Sequence, residues 1–266
     1  MWLSTSRKRP PRSDLRSMPK APDAIVLCGG AGVRLREVTG DQPKAMARIG
    51  NRPFLGLLLN QLRRHGYERV ILAVGYRQDV IRSHIGDRAF DLQLVYSSES
   101  SPLGTGGALR NAADLVESDV SLVMNGDSYI DVDLGAFLAS HREWEPDASL
   151  VVAPADGRAD CGNVCLTEDG TVASFDEKLR SSAMGYLNAG VYLLSSSMLY
   201  DIPSERQVSL ERELFRRWLA QGRSIRAFMC QARCFDIGTP ERYRNAQKGL
   251  AAAEIDAGLL RQGGSL

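Results

Sequence analysis

Four short apolar runs separated by helical patterns are the feature that most constrains the fold of this 266-residue chain. The runs lie at residues 25–27, 69–74, 92–96 and 120–124. Strands that are apolar on both faces are typical of a parallel sheet covered by helices on each side. Helical patterns fill the gaps between them, at residues 53–65, 77–85 and 105–116. The alternation predicts an α/β fold with a Rossmann-like, doubly wound sheet.

After about residue 147 the pattern changes to strands joined by short turns, which predicts that the sheet is mixed. The strand-like segments are residues 148–153, 162–166, 171–175, 190–194 and 233–236. A helix is predicted at residues 210–221 with Ser209 as its N-cap, and Thr239 and Pro240 open the last helix. The sequence contains no internal repeat, so we expect no C-terminal β-helix domain.

The composition, 44% hydrophobic and 24% charged, is typical of a soluble globular protein, and no apolar run is long enough to span a membrane. We therefore expect a cytoplasmic protein with no membrane partner. Residues 1–20 carry six Lys or Arg and one acid, whereas residues 21–266 carry 27 basic and 31 acidic residues. We interpret residues 1–20 as a basic, disordered leader, or as a segment before a true start at Met18, and residues 21–266 as the domain. The leader lacks aromatic interleaving and an amphipathic period, which argues against an arm for nucleic acid or membrane.

The five cysteines include two pairs with three intervening residues, Cys161 with Cys165 and Cys230 with Cys234. Zinc sites made of four thiolates usually have two intervening residues. The spacing therefore favours reduced, mostly buried thiols over a metal site.

The sequence IVLCGGAGVRLR, residues 25–36, places three glycines directly after the first strand. Glycines at such a turn let backbone N–H groups approach a phosphate. A dinucleotide fingerprint would need glycine where Leu35 stands, and a P-loop would need Gly-Lys-Ser/Thr, which is absent. The turn instead carries Arg34 and Arg36, and Lys44 follows, so cations beside N–H groups suggest a triphosphate site.

Six ordered blocks resemble the sugar-1-phosphate nucleotidyltransferase family. They are GGAGVRLREVTGDQPK, ESSPLGTGGAL, NGDSY, FDEK, LNAGVYLL and FDIGTPERY, spread from about residue 24 to residue 247. One departure is Val33, where the family usually has Thr. The resemblance implies the nucleotidyltransferase type of sheet. It also implies attack by a sugar-1-phosphate oxygen on the α-phosphorus of a nucleoside triphosphate, with release of pyrophosphate.

The resemblance also implies roles for individual residues. Arg34, Lys44 and Asp127 are the expected catalytic residues, with Arg34 and Lys44 gripping the triphosphate. Asp127 and Asp236 each end a strand and are the expected Mg²⁺ ligands. The residues expected to bind the nucleotide are Leu27, Gly29, Gly30, Gly32, Glu99, Gly104, Thr105 and Gly107. Those expected to bind the sugar phosphate are Gly162, Glu177, Lys178 and Asn188. Asp131 and Asp133 stay outside the metal site, because Asp133 is more simply a helix cap.

The loop at residues 99–107 is expected to read the base. A carboxylate at Glu99 can accept from both N1–H and the 2-amino group of guanine, a pair that uracil and cytosine lack. This favours GTP as the nucleotide.

Within the family, the blocks most resemble the D-glycero-α-D-manno-heptose 1-phosphate guanylyltransferases, which make GDP-heptose for capsule or lipopolysaccharide synthesis. A mannose-1-phosphate guanylyltransferase is the nearest alternative, since the two sugars differ by one carbon. A non-catalytic regulator that binds nucleotide sugars is a third hypothesis, although Lys44, Asp127 and Asp236 are all present. The expected partners are GTP and a sugar 1-phosphate, without nucleic acid, and a homo-oligomer remains open.

Overall fold

The computed structural model describes residues 21–155, 163–176, 185–204 and 206–256. The strands are β1 (Ala24–Leu27), β2 (Arg48–Ile49), β3 (Arg52–Pro53), β4 (Arg69–Val74), β5 (Arg88–Ala89), β6 (Leu92–Ser98), β7 (Val120–Asn125), β8 (Ser128–Tyr129), β9 (Ala148–Pro154), β10 (Asn163–Leu166), β11 (Val172–Asp176), β12 (Tyr186–Ser195), β13 (Ile225–Met229) and β14 (Phe235–Asp236). The α-helices are α1 (Arg36–Thr39), α2 (Phe54–Arg64), α3 (Gln78–Ile85), α4 (Gly104–Ala112), α5 (Leu134–Trp144), α6 (Ser196–Tyr200), α7 (Phe215–Ala220) and α8 (Pro240–Asp256).

Ten of these strands form one sheet, whose parallel centre has the order β7-β1-β4-β6. Successive side chains point to opposite faces of a strand, and here both faces are buried. In β1, Ala24 and Val26 pack into one core, and Ile25 packs into the core on the other side. The apolar runs of the sequence thus form the predicted parallel strands because helices cover each face.

The second half of the chain extends the same sheet with antiparallel strands. β12 pairs antiparallel with β7, β9 and β10, and β13 lies parallel to β9. The predicted α/β, doubly wound mixed sheet is therefore confirmed, and the residues described here contain no β-helix.

The segment predicted as one helix at residues 210–221 is more irregular. It begins as a π-helix at Leu210–Leu214 and continues as α7. The predicted N-cap is confirmed, since Ser209 Oγ accepts from the backbone N–H of Arg212 at 3.1 Å. In α7, Phe215 stacks on Phe175 at 4.6 Å between ring centroids and lies 5.3 Å from Tyr192, which fixes this helix against the sheet.

Other boundaries also differ from the predictions. β12 begins at Tyr186, four residues before the predicted strand, and the sequence patterns did not predict β13. Asp133 caps α5, with Oδ1 accepting from Ala136 N at 2.9 Å, as expected. Thr239 caps α8 in the predicted place, accepting from Arg242 N at 3.3 Å.

Three of the predicted buried thiols, Cys28, Cys230 and Cys234, are buried and free, and Cys165 is half-buried and free. Cys161 and the proposed leader at residues 1–20 lie outside the described residues. Among the helices of the described ranges, none combines the length and the hydropathy that crossing a membrane requires.

A buried ion pair fastens the start of β1 to its neighbours. Asp23 Oδ2 accepts from Arg69 Nη1 at 2.9 Å and from the backbone N–H of Glu117 at 2.6 Å. The side chains of Asp23 and Arg69 are only 9% and 16% exposed. Arg69 has a second, exposed ionic partner in Glu117 at 3.3 Å, so Asp23 is the buried partner of this guanidinium.

We expect Asp23→Ala to lower the free energy of unfolding by about 3 kcal/mol, because the buried Arg69 guanidinium would keep only the exposed Glu117 carboxylate, 3.3 Å away, as an ionic partner. Asp87→Ala is the control, since its pair with Arg82 is exposed on both sides, and it should change stability by about 0.5 kcal/mol or less. Urea denaturation measures both. Equal effects from the two variants would contradict this role of Asp23.

Candidate active site

A cavity of about 800 Å³ opens at the carboxyl ends of the parallel strands. The strand order reverses between β1 and β7, and such a switch point is where ligands bind in open α/β sheets. Its walls come from the glycine turn, the loops after β4, β6 and β7, and a segment after residue 206. The lining residues that the argument below uses are Arg34, Lys44, Tyr76, Glu99, Thr105, Asn125, Asp127 and Glu211.

The glycine turn is a compact bend. Gly32 has φ of 58°, a left-handed conformation that favours glycine, and a Cβ there would approach Lys44 Cβ to 3.0 Å. Gly32 therefore lies behind Lys44 and does not line the cavity, while Gly29, Gly30 and Arg34 do. The side chain of Val33 is 69% exposed, so the residue that departs from the family pattern packs against little.

Glu99 is half-buried at the end of the cavity formed by the loop after β6, against two glycines. A Cβ on Gly29 or Gly75 would come within 2.7 or 2.5 Å of Glu99 Oε1, so glycine at both positions makes room for the carboxylate. Glu99 Oε2 accepts from the backbone N–H of Leu103 at 3.2 Å. Desolvation raises the pKa of Glu99 above its usual value, against the lowering effect of that hydrogen bond.

Tyr76 also lines the cavity and contacts the segment that follows the glycine turn. Its hydroxyl donates to Asp41, Arg77 Nη1 donates to the same carboxylate at 2.5 Å, and Arg36 lies 4.6 Å above the Tyr76 ring. These two hydrogen bonds hold the pKa of Asp41 below its ordinary value. The contacts link the segment after α1 to the loop after β4, and the sequence patterns did not identify Tyr76 as a site residue.

Lys44 and Asp127 meet at the other end of the cavity. Lys44 Nζ donates to Asp127 Oδ2 at 2.5 Å, and the lysine side chain is only 15% exposed. Asp236 comes beside them because β14 pairs with β8: Asp236 faces Ser128, and Ile237 N donates to Asp127 O at 3.0 Å. Asp236 Oδ1 itself accepts from Arg242 Nη1 at 3.2 Å. The two predicted metal ligands are therefore held by one backbone ladder.

Cys28 borders the cavity but is unsuited to act as a nucleophile. Burial, with a smaller contribution from the Asp127 charge, raises the pKa of its thiol to about 12. The thiol stays protonated at neutral pH, and only the thiolate is reactive.

Glu211 is a cavity residue that the sequence patterns missed. It accepts from Thr105, Ser209, Asn125 and Tyr192, which come from four different parts of the chain. Burial and the adjacent Glu211 carboxylate raise the pKa of Tyr192 well above its ordinary value, so Tyr192 remains a donor. In the sequence, Glu211 resembles an ordinary acid in the first turn of a helix, and no local signal marks it.

The structure brings most of the predicted residues together. Those that line the cavity are Leu27, Gly29, Gly30, Arg34, Lys44, Glu99, Gly104, Thr105 and Asp127. Four predicted site residues in the described ranges lie outside the cavity wall: Gly32 behind Lys44, Asp236 on β14 beside Asp127, Gly107 and Asn188. Gly107 lies against the Arg206 carbonyl, 2.8 Å from where a Cβ would stand, and is absent from the cavity wall. Asn188 also lies outside the wall. Its Nδ2 donates a hydrogen bond to Tyr192 Oη, and its Oδ1 accepts one from Gly190 N. Gly162, Glu177 and Lys178 lie outside the described residues.

Comparisons with known proteins bear on this arrangement. The nucleotidyl transferase family model matches residues 23–253. The D-glycero-α-D-manno-heptose 1-phosphate guanylyltransferase of Aneurinibacillus thermoaerophilus is 35% identical over 228 residues, 86% of this chain and 98% of that protein. The mannose-1-phosphate guanylyltransferase of Mycobacterium tuberculosis is 38% identical over 242 residues, 90% of this chain and 67% of that protein.

Among solved structures, HddC from Yersinia pseudotuberculosis complexed with GMP-PN superposes with a TM-score of 0.74 at 33% identity, covering 86% of this chain and all of that one. The family match spans most of the chain, including every strand of the sheet. The chain is therefore a member of the nucleotidyl transferase family.

Proposed function

We propose that this protein transfers GMP from GTP to D-glycero-α-D-manno-heptose 1-phosphate, forming GDP-heptose and pyrophosphate. The observation that carries the proposal is the polarity of the cavity. Glu99 follows β6 and Asp127, paired with Lys44, follows β7, and β1 and β4 lie between these two strands, so the carboxylate and the ion pair border opposite sides of the cavity. That arrangement suits a molecule with a base at one end and a polyphosphate at the other.

Guanine is the base that best suits Glu99. A carboxylate with its negative charge can accept from the N1–H and the 2-amino group together. Folding desolvates this carboxylate without giving it a cation in the hydrogen bonds described, so a ligand with two donors would compensate it. The similarity to two guanylyltransferases supports the same choice.

Lys44 and Arg34 supply the positive charge that a triphosphate needs. Both line the cavity near the turn, Lys44 half-buried and Arg34 exposed. Two polyanions must approach each other in this reaction, so neutralising charge and fixing an in-line geometry matter more than acid-base chemistry. We assign Lys44 and Arg34 to the triphosphate and the departing pyrophosphate.

The residues present suit Mg²⁺. Mg²⁺ sites in proteins commonly use one or two carboxylates and take their other ligands from phosphates and water. Asp127 and Asp236 supply two carboxylates, each of which has a cationic neighbour, Lys44 or Arg242. When bound, the ion would draw charge from the α-phosphate and the attacking sugar phosphate. Asp127 and Asp236 would orient it, while Lys44 would shift from Asp127 toward substrate oxygens.

The identity of the sugar 1-phosphate that accepts GMP is the more specific part of the proposal. We assign its binding to Gly162, Glu177 and Lys178, with Lys178 on its phosphate; Asn188, whose amide is hydrogen-bonded to Tyr192 and Gly190, is left out. Mannose 1-phosphate is the second candidate, supported by the 38% identity to the mycobacterial enzyme. A pocket that discriminates one extra carbon gains only about 1–3 kcal/mol, so partial use of both sugars is expected. The GDP-heptose would serve cytoplasmic steps of capsule or lipopolysaccharide synthesis.

The proposal is tested by pyrophosphate release over a matrix of four nucleoside triphosphates and the heptose, mannose and glucose 1-phosphates, with Mg²⁺. We expect GTP to exceed the other triphosphates by about a hundredfold, because their bases leave Glu99 unpaired. Heptose phosphate should exceed mannose phosphate by about tenfold. No turnover in any combination would refute the proposed activity, and a preference for mannose phosphate would favour the second candidate.

Asp127→Asn and Asp236→Asn should each lower kcat by about a hundredfold or more and raise the Mg²⁺ concentration needed for half-maximal rate. Asp131→Asn is the matched control, because Asp131 is exposed and pairs with Arg64 on the same side of the protein. Steady-state rates over a Mg²⁺ titration measure this. If the Asp127 or the Asp236 variant has the same rates and the same Mg²⁺ dependence as Asp131→Asn, that aspartate is not a metal ligand.

Glu99→Gln should reduce the preference for GTP over ATP by about tenfold, since the amide would present a donor where guanine needs an acceptor.

Glu99→Gln should also change the way in which the free energy of unfolding depends on pH. Burial raises the pKa of Glu99, so the stability this carboxyl contributes is present below about 4.5 and is lost as pH rises.

The variant should therefore lose less stability than the wild type between pH 4 and pH 7 in urea denaturation. Glu143→Gln, an exposed substitution on α5, is the control and should follow the wild type. Unchanged nucleotide preference together with a wild-type pH dependence would remove Glu99 from the base site.

A further inference from the structure

A segment from the second half of the chain forms part of the nucleotide side of the cavity. This strap, residues 206–214, crosses the N-terminal turn of α4. Val208 O accepts from the backbone N–H groups of Gly106 and Gly107 at 2.9 and 3.4 Å, and Val208 N donates to Leu103 O at 2.9 Å. The strap thus completes the first turn of a helix that lies about a hundred residues earlier.

The glycines of α4 make room for the strap. A Cβ on Gly104 would come within 2.6 Å of Val208 O, and one on Gly106 would come within 2.5 Å of Leu214 Cδ1. The Val208 carbonyl and the Leu214 side chain of the strap therefore occupy the space that side chains at Gly104 and Gly106 would take. The strap and the base-reading loop at residues 99–107 therefore hold each other in position.

Glu211 is the polar centre of this contact. Its Oε2 accepts from Thr105 Oγ1 at 2.8 Å and from Ser209 Oγ at 3.3 Å. Its Oε1 accepts from Asn125 Nδ2 and from Tyr192 Oη, each at 3.2 Å. An ionised carboxylate offers about four acceptor sites, and four donors use them here.

The saturated carboxylate indicates what Glu211 does. A negative charge on the wall repels a triphosphate, and its acceptor sites already have partners, so direct substrate binding is not its task. It sits in a π-helical turn, a distortion often found at functional sites. Its four partners join α4 to the end of β7, where Asn125 stands two residues before Asp127.

We propose that Glu211 is a positioning residue that holds the base-reading loop at a fixed distance from the strand end that carries Asp127. The inference rests on the proposed function. On one side the connection reaches the base site, because Val208 N of the strap donates a hydrogen bond to Leu103 O, and Leu103 N donates one to Glu99. On the other side it reaches the reacting phosphate through Asn125. Glu211 thereby couples nucleotide selection to in-line alignment.

The test compares Glu211→Gln with Glu213→Gln. Glutamine has the size of glutamate, but its NH₂ group would replace an oxygen that accepts two hydrogen bonds. The two donors of those bonds would then face another donor. Glu213 is the matched control, because it lies on the same strap and accepts from Arg206 and Ser209 N outside the cavity wall. GTP and ATP affinities are measured first, by isothermal titration calorimetry, because this needs no known sugar. Pyrophosphate release with the sugar phosphate that the wild type uses then gives kcat and KM.

Glu211→Gln should narrow the ratio of GTP to ATP affinity and lower kcat by about tenfold to a hundredfold, with a smaller change in KM. Glu213→Gln should leave both quantities within about twofold of the wild type, as surface substitutions usually do. A purely structural role would lower only the thermal midpoint and the active fraction, and would leave the affinity ratio unchanged.

A folded Glu211→Gln protein with the affinity ratio and kcat of Glu213→Gln overturns the inference. If Glu211→Gln does not fold, Thr105→Val removes one donor with nearly the same shape, and an unchanged GTP to ATP ratio there also overturns it. Failure of the proposed function is distinguishable, since it appears as absent turnover in the wild type whatever the variants do to nucleotide binding.

Discussion

The position of β1 between two parallel neighbours is the constraint on which the rest of the structure depends. It hydrogen-bonds β4 on one side and β7 on the other, and it is buried on both faces. From β1 the chain continues to β4 on one side and later returns to β7 on the other side. The loops after β1 and β7 therefore leave a cleft between them. At Gly126 a Cβ would lie 2.4 Å from Leu27 O, so the loop that carries Asp127 follows the end of β1 in direct contact. The core of the sheet therefore positions the acidic end of the cavity.

The cavity combines acids and cations in a way that suits polyanionic ligands. Three carboxylates lie in its wall, and each is held by different partners. Asp127 has the Lys44 ammonium, Glu99 has one backbone N–H, and Glu211 has four neutral donors. Of these partners, only that of Asp127 is a cation, and because Lys44 itself lines the cavity, its ammonium can contact a phosphate there. Glu99 keeps acceptor capacity for a ligand, and Glu211 does not.

Local sequence patterns predicted the fold well because the physical causes are local. A strand buried on both faces needs a continuous apolar run, and 69–74 was predicted with the observed bounds. Caps such as Ser209 and Asp133 depend on neighbours three residues away, so they too were found. The ordered blocks placed Arg34, Lys44 and Asp127, which the structure gathers in one wall. The π-helical start at residue 210 was not predicted, and the residue in it that contacts distant strands, Glu211, carries no local signal of those contacts.

The glycines show where sequence reasoning stops. Gly104 and Gly107 were assigned to the nucleotide because glycine exposes backbone to a planar base. In the structure Gly104 lines the cavity and Gly107 does not, and at both positions a carbonyl group, of Val208 or Arg206, occupies the space where a Cβ would stand. A glycine signals close approach but does not identify what approaches. Here the approaching group is the strap, so the shape of the base loop depends on residues a hundred positions later. Through Glu211 the same strap also reaches Asn125 at the end of β7, so the loop after β6 and the strand end before Asp127 are joined by one segment, and changes in the strap should act on both.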